Sequence, residues 1–407
     1  YAGAVSAAFL PRDRAGEPRV VLADAGTGVG KTLGYIAPAS VWAEKNDGVV
    51  WISTFTRNLQ RQLDGELDRL YPDPDEKAAK VVIRKGRENY FCLLNYQEAV
   101  SRLRTGGTDP NGNEAVALGL MARWALASRD GDMVGGDFPA WLTGLLGRAM
   151  TVDLTDTRGE CTYSACEHYG RCFVERTVRR ARHARLVVAN HALVMVQAAL
   201  GGGDEGELPT RYVFDEGHHI FAAADGAFSA DLTGYETEDL RRWLVGAEAG
   251  RKSRSRGLRA RLDDLIAGDD DAAAALDEAL RAARALPGPG WRQRLGGGQP
   301  VGPAEAFFAA ARTQVYARES SGRNGGISYS LEAGTDQPVS GLLDVAGALE
   351  AALVRLRRPL TKLIKSLVRL MDVDADNLDT ATRNRIEAII RGLQRRGVDQ
   401  LGAWADM

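Results

Sequence analysis

Residues 24–32 read Asp24-Ala25-Gly26-Thr27-Gly28-Val29-Gly30-Lys31-Thr32. An apolar run, Arg19-Val20-Val21-Leu22-Ala23-Asp24, precedes them, and a helical stretch from Lys31 to about Glu44 follows. Buried strand, glycine-rich turn and helix in this order make a phosphate-binding loop. The fixed positions of Gly-x-x-x-x-Gly-Lys-Thr are met except the first, where Ala25 stands and Gly26 and Gly28 supply the flexibility. Glycines let backbone N–H groups turn toward phosphate oxygens without a Cβ in the way, and the helix N-terminus adds partial positive charge. Gly26, Thr27, Gly28, Val29, Gly30, Lys31 and Thr32 are therefore the expected nucleotide contacts. Lys31 reaches the β- and γ-phosphates, and the Thr32 hydroxyl ligates Mg²⁺.

Working outward, further short apolar runs are expected strands: Val49–Ser53, Val81–Ile83, Leu186–Ala189 and Tyr212–Phe214. A polar helix is expected from about Arg57 to Leu70. Strands alternating with helices predict an α/β fold with a parallel sheet covered on both faces. The last strand runs into Asp215-Glu216-Gly217-His218. An acid at the carboxyl end of such a strand can hold Mg²⁺ through water, which is the role expected of Asp215. Glu216 is placed to orient and deprotonate the attacking water.

Two segments break the rhythm. Residues 86–173 hold all four cysteines, Cys92, Cys161, Cys166 and Cys172, and several glycine turns, among them Gly106, Gly107, Gly135 and Gly136. Clustered cysteines in a reducing, intracellular setting are more often metal ligands than disulfides. Thiolates suit iron–sulfur clusters or zinc, and no C-x-x-C knuckle of the usual structural zinc type is present. Beyond about residue 223 the chain is rich in Ala, Leu and Arg. Leu342, Val345, Leu349, Leu353 and Leu356 share one helical stripe, as do Leu360, Leu363, Leu367 and Leu370, with Pro359 suited to the first turn of that second helix. Ile386, Ile389 and Leu393 continue the pattern of a helical bundle. Loops are expected at Gly201–Gly203, Pro287–Gly290 and Ser320–Gly326.

The formal net charge of −2 over 407 residues argues against a wholesale polyanion binder but allows a local basic groove. Arg176, Arg179, Arg180, Arg182 and Arg185 crowd one helix, either as a solvated face or as a phosphate-tracking surface. Arg251, Lys252, Arg254, Arg256, Arg259 and Arg261 form a second basic run. No run of about 18 apolar residues and no signal peptide is visible, so a cytoplasmic protein is expected.

Together these motifs resemble the DinG/XPD branch of iron–sulfur superfamily 2 DNA helicases, the bacterial DinG-like members most of all. Asp215-Glu216-Gly217-His218 is similar to the DEAH box, with Gly217 where the family usually has Ala. Ser53-Thr54-Phe55-Thr56, with Leu59-Gln60 and Gln62-Leu63, is similar to a motif that touches the DNA backbone. Lys85-Gly86-Arg87-Glu88-Asn89-Tyr90-Phe91-Cys92 resembles the sequence around the first cluster ligand, and Ala189-Asn190-His191-Ala192-Leu193 the strand end before the DEAH box. The resemblance implies a RecA-like motor domain in two parts (1–85 and 174–222), an inserted iron–sulfur domain (86–173) and a helical Arch-type domain (223–407). It implies ATP, Mg²⁺ and a [4Fe–4S] cluster on Cys92, Cys161, Cys166 and Cys172, a stapled domain with little core of its own. Lys31, Asp215, Glu216 and His218 become the catalytic set, His218 linking the ATP site to the DNA path. Thr54, Arg176, Arg179, Arg180 and Arg182 become the DNA contacts. The implied activity is 5′→3′ movement on single-stranded DNA and opening of duplex junctions by a monomeric motor. The chain reads as a fragment, inactive alone, because the second RecA-like domain with its arginine finger is not in it. The competing reading is an iron–sulfur redox or nucleotide-binding scaffold without motor activity.

Overall fold

The computed structural model describes residues 1–407 apart from 13, 15, 27, 105–111, 148–149, 157–160, 162–163, 165, 200–208, 247, 249–256, 319–330 and 374–377. The expectations for Thr27, Gly106, Gly107, Gly201–Gly203, Ser320–Gly326 and the basic residues 251, 252, 254 and 256 lie outside the described residues. The chain divides into two compact units. The first comprises 1–156 and 168–229, the second 157–167 and 230–407.

In the first unit, β1 (Val50–Thr54), β2 (Val81–Ile83), β3 (Leu186–Asn190) and β4 (Tyr212–Phe214) form one parallel sheet in the order β2-β3-β1-β4. These strands read as unbroken apolar runs because both faces are covered. Val50, Ile52, Leu186 and Val188 pack on one face against Tyr35, Ile36, Ala39, Leu63 and Leu67. Trp51, Val82, Val187 and Ala189 pack on the other against Ala181 and Val194. Successive side chains alternate between the faces, as the strand period requires. Each fully buried aliphatic side chain contributes about 1.5–3 kcal/mol.

Helix α1 (Lys31–Asn46) leaves Gly30, and α2 (Arg57–Leu70) starts at Thr56, whose Oγ1 accepts the Leu59 N–H at 3.2 Å. Both follow the sequence expectation closely, and α2 buries Leu63 and Leu67, one turn apart. Helices α3 (Phe173–Ala181) and α4 (His191–Ala199) flank β3 in sequence.

Three expectations need correction. Arg19–Asp24 is not a strand: no described ladder includes it, and Val20 and Leu22 are 69% and 95% exposed. An apolar run becomes a strand only when a neighbour accepts its backbone hydrogen bonds, and periodicity cannot report whether one is there. The region around Cys92 also has a core of its own, built from Tyr90, Phe91, Met121, Phe138, Leu154 and Phe173 among others. Lastly, Pro359 does not start a helix. It lies inside one continuous helix, Leu342–Val373, and is buried there. An interior proline costs about 3 kcal/mol. Burial of Leu356, Leu360 and Leu363 on either side outweighs it.

The second unit is helical. The stripe Leu349, Leu353, Leu356, Leu360, Leu363 and Leu367 packs with Trp243, Leu276, Ala279, Ile386, Ile389 and Leu393 in a single core. Among the described residues, no helix is long and apolar enough to cross a membrane.

Candidate functional site

Because the sheet is parallel, the ends of β1, β3 and β4 emerge on one side, where ligands bind in open α/β folds. Thr54, Asn190 and Asp215 stand there, and Lys31, the first residue of α1, reaches Glu216. Gly28 and Gly30 have φ of 79° and 76°, the left-handed region that the loop needs and that side chains resist. A Cβ on either would meet nothing within 4 Å, so the backbone conformation, not crowding, demands glycine.

Lys31 Nζ donates to Glu216 Oε1 at 3.3 Å. Thr54 Oγ1 donates to Asp215 Oδ2 at 3.4 Å, and the Asp215 N–H donates to Ser53 O at 2.8 Å. His218 Nδ1 lies 3.6 Å from Glu216 Oε2. The structure thus brings together Lys31, Thr54, Asp215, Glu216 and His218, with Lys31 and Glu216 185 positions apart in the chain. Burial first, and the neighbouring Glu216 carboxylate second, push the Asp215 carboxyl above the usual range. Adjacent carboxylates in a half-buried site are a donor set that a divalent cation fits, since it removes the repulsion that raises the pKa. Glu216 adopts φ 54°, ψ 49°, a left-handed backbone that costs a non-glycine residue about 1–2 kcal/mol.

Sequence reasoning missed Tyr35. It is buried on α1, one turn beyond Lys31, and feels the Asp215 charge. Burial, and next the Asp215 charge, raise its pKa. The i, i+4 spacing from Lys31 was the available signal, because it places both residues on one helix face. His191, passed over as part of a strand end, is likewise fully buried against Ser53.

Cys92 and Cys172 both lie in the first unit, each half-buried. Burial, then the Asp156 carboxylate, and Cys172 after it, push the Cys92 thiol up to about 12; burial raises Cys172 as well. Cys161 and Cys166 lie in 157–167, which groups with the second unit. Among the described residues, no three His, Cys, Asp or Glu side chains are gathered as a metal site. Arg87 braces this region through Glu175 at 2.7 Å and Asp156 at 3.6 Å.

The arginines of α3 make contacts within their own unit. Arg176 donates to Arg129 O and lies over the Phe173 ring; Arg179 donates to Gly170 O at 3.4 Å; Arg180 donates to Ala78 O at 2.6 Å. Arg182, just past the helix, is exposed.

The glycine loop leads into α1, whose Lys31 reaches the acidic pair that follows β4. No family model matches the chain. It is similar to the ATP-dependent DNA helicase YoaA of Haemophilus influenzae, 30% identical over 220 residues, 53% of this chain and 32% of the relative. YoaA of Escherichia coli is 31% identical over 233 residues, 55% of this chain and 34% of the relative. The ATP-dependent helicase DinG of Mycobacterium tuberculosis is 31% identical over 242 residues, 57% of this chain and 35% of the relative. Over about half its length the chain is therefore DinG-like, as its motifs indicate, and the matches span about a third of these relatives.

Proposed function

We propose that this chain supplies the ATP-binding half-site of a DNA helicase. The observation that carries the reading is the convergence of Lys31 with Asp215 and Glu216 at the carboxyl ends of one parallel sheet. The backbone of Gly26, Gly28, Val29 and Gly30 would cradle the phosphates, Thr27 completing the loop. Thr32 and Asp215 would hold Mg²⁺, which neutralises charge on the phosphates. Lys31 would leave Glu216 for the γ-phosphate, the stronger anion. That frees the Glu216 carboxylate to take a proton from water. His218, beside Glu216, and Thr54, bonded to Asp215, would pass the state of the site toward DNA.

In the same reading, Cys92, Cys161, Cys166 and Cys172 hold a [4Fe–4S] cluster. The domains are those expected from the sequence, 1–85 with 174–222, 86–173 and 223–407. Single-stranded DNA and duplex junctions are the substrates, with 5′→3′ movement by a monomeric motor. Thr54, Arg176, Arg179, Arg180 and Arg182 are the contacts, and the cell interior is the setting. The relatives named as ATP-dependent DNA helicases support the activity class.

Fluorescent ADP titrated into the chain with Mg²⁺ tests the reading. Lys31→Ala should weaken binding at least tenfold, about 1.4 kcal/mol. Unchanged affinity would remove the nucleotide site from the proposal.

A further inference from the structure

The helix Leu342–Val373 is apolar on one side and cationic on the other. Leu353, Leu356, Leu360, Leu363 and Leu367 face the core of the second unit. Two residues after each of them stands a cation: Arg355, Arg358, Lys362, Lys365 and Arg369. Two residues turn an α-helix by about 200°, so the cations form one stripe opposite the leucines. All five are exposed. At 1.5 Å per residue the stripe runs for about 21 Å. The helix carries no acid between Glu350 and Asp372 and no aromatic residue anywhere along it.

A helix face that is merely solvated mixes its signs, because like charges three or four residues apart repel. Other helices of this chain do mix them. Lys80 pairs with Glu76, Arg259 with Asp263 and Arg391 with Glu387, each one turn apart. The stripe has no acid of its own to do so. Lys362 reaches Glu278 at 3.5 Å and Arg369 reaches Asp269 at 2.7 Å, on the helix Asp270–Ala282 and its cap, yet both side chains stay more than half exposed. Arg355, Arg358 and Lys365 make no ion pair among the described residues. In a chain of net charge −2, this is positive charge set apart rather than spread.

We propose that this stripe is a docking surface for duplex DNA, held by backbone phosphates without regard to sequence. Its length matches about six base pairs of duplex, a densely charged polyanion. Grooves for single strands add aromatic platforms on which bases stack, and this face has none. Basic amphipathic helices that lie on membranes sink their apolar side into lipid; here that side is spent on the core. The inference rests on the proposed function for one point, that the polyanion is DNA.

Fluorescence anisotropy of a labelled mixed-sequence duplex, titrated at several salt concentrations, tests the stripe. Each phosphate contact contributes about 0.9 to the slope of log affinity against log salt. The triple variant Arg355→Ala, Arg358→Ala, Lys365→Ala should therefore flatten the slope by about 2.7 and weaken binding at least tenfold at about 50 mM salt. Lys365→Glu alone, one exposed change, should flatten it by about one, so the outcome does not hang on the triple variant folding. Arg12→Ala, Lys45→Ala, Arg69→Ala together remove the same charge from exposed positions of the first unit and should leave the slope as it is. No binding of duplex by the wild type, an unchanged slope in the stripe variants, or an equal change in the control would overturn the inference. So would a loss confined to oligo-dT or to phosphatidylserine vesicles. Fluorescent ADP is titrated into the same samples: if nucleotide binds while the stripe fails, the proposed function stands, and if nucleotide fails while the stripe holds, only that function falls.

Discussion

Glu216 holds a left-handed backbone at the residue proposed to handle water, and that conformation can be tested through stability alone. Replace it with alanine and, separately, with glycine. Both changes remove the Lys31 ion pair, so that loss cancels in the comparison. Alanine keeps the left-handed penalty of about 1–2 kcal/mol; glycine escapes it. Glycine adds about 0.4–1 kcal/mol of unfolded-chain entropy in the opposite sense. The difference leaves Glu216→Gly more stable than Glu216→Ala by about 0.5–1 kcal/mol, or about 1–4 °C in Tm for a unit of this size. Urea unfolding of the nucleotide-free chain at pH 7 measures it. In an ordinary helix or strand alanine is the better of the two, so the expected order is reversed. If the alanine variant proves equal or superior, the backbone at 216 is not left-handed and carries no stored strain. Strain of this kind belongs where a fold over-determines a functional group.

Arg87 sits between two buried acids, so Arg87→Ala deprives Glu175 and Asp156 of their guanidinium and should cost about 3 kcal/mol. A loss below about 1 kcal/mol in a denaturant melt would show the ion pairs to be incidental. Anaerobically purified chain should contain iron and sulfide with a brown visible absorbance, and Cys92→Ser or Cys172→Ser should remove it; zinc without iron would contradict the cluster. Burial holds the His191 pKa below its unfolded value of about 6.5. The folded state then binds fewer protons, so this stability is fully present above about pH 6.5 and lost as pH falls through the folded pKa. His191→Asn should flatten that decline when urea midpoints are compared from pH 7 to 5, and an identical decline in both proteins would exclude His191 as its source.

Local signals carried much of the fold. Thr56 before α2, the leucine stripe of 342–373 and the apolar runs of β1 to β4 each act within a few residues, so the sequence determines them directly. The glycine loop and the Asp215–Glu216 pair were legible too, because each is a contiguous string with its own chemistry. Tertiary structure decided what depends on a partner far along the chain. It left Arg19–Asp24 without a described ladder, set Pro359 inside a helix, and put Lys31 on Glu216 and His191 behind Ser53. A hydrogen bond or ion pair between residues more than a hundred positions apart leaves no trace in local periodicity. Propensity and pattern report what a segment prefers; only packing reports which distant group is there to receive it.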